Sequence, residues 1–287
     1  MMDLFSDILT SHHYELYSKE SKTYISKKDS GLYSILVWIV RKIALLELNG
    51  FPVENLEIQY HNEELYGLLF EKKDIQLDFS NISNEEKIFF KEELNTTGFG
   101  LGSNVKLLNF NITNQIINKF FTPNKTVLNY YDNLIKRNNI DLDNTIFVWA
   151  RSTDKSGESR LPGVFAYLSV IRSIDLSGKE VLVQTDDIRV FKEFNSTKIK
   201  IKTIPEIPIS DKLRGFHNEM NEMSDDKFKT LYNITKHEYF LQMYCLSLIG
   251  KNAYKTILYP GNPTTYIPML KGSFDNCYLF KDDNHLF

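Results

Sequence analysis

The second half of the chain alternates between short apolar runs and amphipathic stretches, and few folds tolerate that order. Thr145 to Trp149 is a β-branched and aromatic run with the composition of a buried strand, and Glu180 to Gln184, Ile199 to Ile204 and Lys255 to Tyr259 repeat it. Between them the spacing predicts helices over about Val164 to Ser173, Ile188 to Phe194 and Lys236 to Ile249. Strands that alternate with helices bury both faces of a parallel, doubly wound sheet. In such a sheet, polar residues just past the carboxyl ends of the strands line the crevice where ligands bind. The first run delivers Arg151, Thr153, Asp154 and Lys155 there, and the second delivers Thr185, Asp186 and Asp187. Cations beside carboxylates in that place suit a phosphate-bearing ligand.

The first half is less regular. Leu32, Ile35, Leu36, Ile39, Ile43 and Leu46 keep helical spacing, and Asn49-Gly50 supplies a stop. A possible strand at Thr23 to Ile25 precedes this helix and an alternating strand at Leu56 to Tyr60 follows it, a unit of the kind that builds parallel sheets. Residues Met1 to Lys22 read as a short helix or irregular lead-in. Ser30-Gly31, at the helix amino terminus, can receive an anion or a sugar hydroxyl, or can simply make a tight turn. Gly98, Gly100 and Gly102 read better as a surface loop than as a phosphate cradle, because their spacing is not that of a nucleotide-binding fingerprint. Phe120-Phe121-Thr122-Pro123 opens a helix running through Arg137, and the turn-formers after it place a domain boundary near Asp141. The expected division is therefore 1–140 and 141–287.

Composition excludes several classes. A chain of 287 residues has room for two cores. A formal charge of -3 without a basic stripe argues against a dedicated nucleic-acid or anionic-membrane binder. No basic amino-terminal region leads into an apolar run, and no segment has 18 uninterrupted apolar residues, so the expectation is a soluble, cytoplasmic chain without a transmembrane segment. Two cysteines cannot build a disulfide framework. No His, Asp and Cys residues show metal-ligand spacing, and His12-His13 stands alone.

Six short motifs then appear in a fixed order: FFTP, NNIDLDN, VWARSTDK, VQTDD, GFHNEM and TILYPGNPTTY. Over Phe120 to Leu270 this order resembles the nucleotide-sugar half of the α1,6-fucosyltransferases, the family of the core-fucosylating and nodulation enzymes. The resemblance implies a GT-B-like α/β fold, two Rossmann-like domains facing a cleft, with residues 1–140 on the acceptor side and 141–287 binding the donor. It also implies transfer of fucose, or a related sugar, from a GDP-sugar donor to a glycan hydroxyl, with inversion and without a metal or other cofactor.

Carried over by position, the resemblance gives Arg151 the donor pyrophosphate, with Asp154, Lys155, Asp186 and Asp187 around it. His217 and Asn218 fall toward the base and ribose, and Thr264 and Thr265 match a hydroxyl-bearing loop that contacts phosphate. Glu158 is nearest to the family's proposed base, although strict counting lands on Ser159. Trp149 and Ser152 stand where the motif has a histidine and a second arginine, and near Cys245 the aspartate expected to read guanine is not obvious. Those departures keep two further readings open: a transferase of the same fold with another donor, or a non-catalytic nucleotide- or glycan-binding relative.

Taken without the resemblance, the same residues have plainer uses. An arginine at a strand end can be a salt-bridge partner, one of Asp186 and Asp187 can cap the helix that follows, and Glu158 can be a solvated surface charge.

Overall fold

The computed structural model describes residues 13–28, 31–60, 63–88, 109–151, 161–211, 222–280 and 286. By internal contact the chain divides into two compact units, one carrying the described residues up to Leu128 and the other those from Asn129 onward. The division falls inside a helix, ahead of the boundary expected near Asp141. The turn-formers after Arg137 are tied into the second unit: the Lys202 ammonium donates to the Asn139 carbonyl at 2.6 Å and Tyr254 N donates to the Leu142 carbonyl at 2.8 Å.

In the first unit, strands β1 (His13–Ser18), β2 (Thr23–Lys28), β3 (Asn55–Tyr60) and β4 (Glu63–Glu64) form a sheet in that order. Only β2 and β3 are parallel, joined by helix α1 (Leu32–Leu48), while β1 and β4 pair antiparallel at the flanks. The strand, helix, strand reading of this stretch is therefore seen, but within a mixed sheet. The lead-in expected over Met1 to Lys22 is corrected for its described part. His13–Ser18 is a strand, hairpinned onto β2 through a turn that puts Lys22 at φ 50°. Helix α1 ends as expected, with Gly50 at φ 79°, a left-handed position that glycine adopts at no steric cost.

Helix α2 (Leu65–Leu69) and strand β5 (Phe70–Glu71) follow, then helix α3 (Phe110–Phe120), which the sequence reading did not separate from its surroundings. The FFTP segment does not open a helix. Phe120 ends α3, and Thr122–Pro123 is a short strand β6 pairing with β5. The next helix, α4 (Lys125–Arg137), starts where the Asn124 carboxamide accepts from Val127 N at 3.0 Å.

Among the described residues the second unit holds five strands: β7 (Thr145–Ala150), β8 (Glu180–Thr185), β9 (Ile201–Lys202), β10 (Lys255–Leu258) and β11 (Cys277–Leu279). They lie in the order β11-β10-β7-β8-β9 and every pairing is parallel. Counted along the chain this is 3-2-1-4-5, an order compatible with a Rossmann-like fold. All six residues of β7 are buried, which is why it reads as a continuous apolar run. Helices α5 (Val164–Arg172) and α6 (Ile188–Asn195) touch each other, and so do α8 (Lys236–Asn252) and α9 (Asn262–Lys271), while α7 (Asp225–Tyr232) packs on α8. Right-handed crossovers put the first pair on one face of the sheet and the second on the other. The strand expected over Ile199 to Ile204 shrinks to two residues at the sheet edge, and β11 and α7 had no clear trace in the pattern.

Candidate functional site

In a 3-2-1-4-5 sheet the chain leaves β7 in one direction for β8 and returns on the other side for β10. The crevice outside the carboxyl ends of β7 and β10 is the switch point where such sheets bind ligands. Register makes the first part of the site. Ala150 pairs with Thr185, so Arg151 and Asp186 leave the sheet together at the ends of neighbouring strands. Their side chains meet, Arg151 Nε lying 3.2 Å from Asp186 Oδ2, and are 21% and 16% exposed. That exposure shields the pair without closing it to a ligand, and partial burial strengthens its attraction over that of a surface pair.

The turn carrying Asp186 is clamped from the other side. Ser210 N donates to the Asp186 carbonyl at 2.9 Å, and Ile188 N donates to the Ser210 carbonyl at 3.0 Å. Asp187 is the N-cap of α6: its carboxylate accepts from Arg189 N at 2.8 Å and from the Arg189 guanidinium, with Arg189 Nε at 2.9 Å. At 1% exposure and with both oxygens held, Asp187 serves the cap. Of the two aspartates, Asp187 is engaged by the cap and Asp186 by Arg151.

Strand β10 builds the opposite wall. Tyr259 N donates to the Trp149 carbonyl at 3.1 Å, and three residues later α9 begins. Gly261 permits the tight approach: a Cβ there would lie 2.5 Å from the ring of Tyr259, which is 1% exposed and has no room to move aside. Thr264 and Thr265, expected on a loop, lie in the first turns of α9 at 0% and 1% exposure. Pro263 sits in the first helical turn, where an N–H is not needed. The Thr264 hydroxyl donates to the Tyr259 carbonyl and so closes the turn, whereas Thr265 Oγ1 is buried with no hydrogen-bond partner among the described residues. Among the described residues no side chain caps α9, and no acidic residue sits in its first turn, so its partial positive charge is not offset by a carboxylate of that turn.

Sequence reasoning missed Tyr167. This phenol on α5 is wholly buried, burial pushes its pKa well up, and Tyr259 and then the Asp186 charge push it further. Its hydroxyl has no hydrogen-bond partner among the described residues. An aromatic at an inward helical position looks like core, and its ring does pack on Phe280 at 4.9 Å. Only its proximity to the strand ends, which a sequence does not display, marks it as part of the site.

Trp149 takes the place of the motif's histidine as a wall residue, 6% exposed and edge-on to Tyr259 at 6.3 Å. Gly31 caps α1 in the other unit at φ -57°, and a Cβ placed there would meet nothing within 4 Å, so neither backbone nor space requires glycine. Ser30, Ser152, Asp154, Lys155, Glu158, His217 and Asn218 lie outside the described residues, as do Gly98, Gly100 and Gly102.

Among the described residues no group of three or more His, Cys, Asp or Glu side chains is placed to hold a metal ion. No helix among them is long and apolar enough to cross a membrane. This sequence matches no protein-family model and no characterised protein sequence.

Proposed function

We propose that the chain is a glycosyltransferase that binds the diphosphate of a nucleotide-sugar at the carboxyl edge of its second unit and passes the sugar to an acceptor hydroxyl. One observation carries this reading. Arg151 is fixed by Asp186 at 3.2 Å beside the switch point of a five-stranded parallel sheet, where the α9 amino terminus also begins. Breaking the bond between an anomeric carbon and a diphosphate builds negative charge on the leaving group. A guanidinium held in place, with a helix amino terminus nearby, offsets that charge without reorganising during the reaction. The acceptor oxygen forms its bond to the anomeric carbon as the phosphate oxygen departs, and the acceptor proton passes to a carboxylate, for which Glu158 and Asp186 are the candidates.

The finer features of the proposal rest on the motif resemblance. They are a GDP-linked fucose or related sugar as donor, inversion without a metal, a glycan acceptor, a GT-B arrangement with the first unit on the acceptor side, and a cytoplasmic location. A second reading, a nucleotide- or glycan-binding protein without turnover, is favoured by Trp149, a buried aromatic in the place of the motif's histidine. Melting curves with GDP, UDP and ADP test the shared part of both readings. A ligand at a hundredfold excess over its dissociation constant stabilises by about 2.7 kcal/mol, or about 5–10 °C for a unit of this size. A shift with GDP above the others supports the donor assignment. No shift with any diphosphate contradicts the site, and a shift without sugar transfer leaves the binding reading.

A further inference from the structure

The segment that follows β9 is tied down at its start, middle and end. It leaves the sheet after Lys202 and rejoins it at Ser210, which makes a parallel bridge with Asp187. At the start, Gln184 of β8 accepts from Ile204 N through Oε1 at 3.4 Å. In the middle, the buried Gln242 amide on α8 donates to the Glu206 carbonyl at 3.1 Å. The Asn138 amide, just past α4, lies 3.2 Å from both oxygens of the Glu206 carboxylate, and the Arg137 guanidinium approaches it at 3.7 Å. At the end, Ser210 N donates to the Asp186 carbonyl at 2.9 Å and Ile188 N donates to the Ser210 carbonyl at 3.0 Å. Between these points Ile207 N closes a turn on the Ile204 carbonyl at 3.2 Å, and Ile204, Ile207 and Ser210 are buried.

A segment that only had to connect β9 to the next element could run loosely over the surface. This one is stiff, because Pro205 and Pro208 each fix a backbone dihedral and the turn between them restricts bending further. A shift at Glu206 is therefore passed on to Ser210 rather than absorbed. Ser210 holds the main chain of Asp186, and the Asp186 carboxylate holds Arg151. A donor already fixed in place leaves less to order when a ligand arrives. We propose that residues 203–210 are a strap that sets the position of Asp186, and through it the Arg151 guanidinium, with Glu206 and Gln242 as positioning residues. Its effect on a ligand rests on the diphosphate reading of that sheet edge; its hold on Asp186 does not.

Glu206→Ala removes the grip on the carboxylate and Gln242→Leu the grip on the carbonyl, while Glu206→Gln keeps an acceptor for Asn138. Tyr130→Phe is the control, since it takes away the other partner of the Gln242 amide, 3.1 Å away, and leaves the strap alone. Amide hydrogen exchange by NMR and calorimetric titration with GDP are read on each folded variant. Release of the strap predicts faster exchange at Ser210 and Ile188 in Glu206→Ala and Gln242→Leu, beyond any change in the slowest core amides. It also predicts GDP affinity about fivefold weaker, largely recovered in Glu206→Gln and unchanged in Tyr130→Phe. Glu206 is 29% exposed, so Glu206→Ala serves if Gln242→Leu does not fold. A purely structural role would speed all amides alike and leave GDP affinity at the parent value, and that result overturns the proposal. So does unchanged Ser210 exchange in Glu206→Ala, or a Tyr130→Phe effect equal to that of Gln242→Leu. Faster Ser210 exchange in a protein whose parent binds no GDP keeps the strap and sinks the diphosphate reading. GDP binding with unchanged exchange sinks the strap alone.

Discussion

Replacing Asp187 with alanine separates a structural aspartate from a ligand-binding one. The carboxylate caps α6 through Arg189 N, and losing such a cap costs about 1–2 kcal/mol. It also binds the Arg189 guanidinium, but that side chain is 54% exposed, so water replaces the contact and the pair adds only about 0.2–1 kcal/mol. The sum, about 1–3 kcal/mol, lowers the melting temperature by roughly 2–12 °C. Asp187→Asn keeps a good capping side chain and is expected to lose less than half of this. Diphosphate affinity of the folded alanine variant, measured by calorimetry well below its melting temperature, is expected to stay within about threefold of the parent, an energy difference under 1 kcal/mol. An unchanged melting temperature with a large loss of affinity would refute the cap assignment and return Asp187 to the ligand site.

Two further outcomes follow from buried groups. Tyr167→Phe removes a hydroxyl that has no partner among the described residues, so stability is expected to hold or rise by up to about 1 kcal/mol; a fall of that size in urea unfolding would mean the hydroxyl is bonded. Burial pushes the Cys245 thiol up to about 12, whereas the unfolded chain ionises it near its ordinary value of 9.0. The neutral thiol is thus favoured by folding, a contribution fully present below pH 9 and lost between pH 9 and 12. In that window the unfolded chain binds about one proton fewer, so stability falls by about 1.4 kcal/mol per pH unit from this group. Cys245→Ala is expected to flatten the alkaline slope of a urea-unfolding series, and an unchanged slope would contradict the assignment.

The second unit was the legible half because its strands are buried on both faces and advertise themselves as apolar runs between helices. Arg151 and Asp186 could be placed from sequence for the same reason: a strand end fixes where the next polar residue emerges. Strand β1 was hidden because Glu15 points an ion at α1 and interrupts the apolar alternation. Strand β6 and the start of α4 were merged because Pro123 suits either a short edge strand or a helix entry. The loop expected at Thr264 and Thr265 is instead the start of a helix, because Pro263 fits a first helical turn, where its missing N–H costs nothing. Tyr167 joins the site only through the packing of α5 on the sheet, and that is a tertiary fact with no local signature.

The central claim is that Arg151, held by Asp186, meets the diphosphate of a ligand at the switch point. Calorimetric titration of Arg151→Ala and Arg151→Lys with GDP, beside sugar-transfer turnover with the GDP-linked donor, tests it most directly. Removing a charge-assisted donor from the departing diphosphate is expected to lower turnover on the order of 100-fold or more, roughly 3 kcal/mol, with weaker GDP binding. Lysine restores only part of this, since an ammonium lacks the planar fork. A folded Arg151→Ala protein with undiminished GDP affinity and turnover would show that Arg151 and Asp186 are only a strand-end salt bridge.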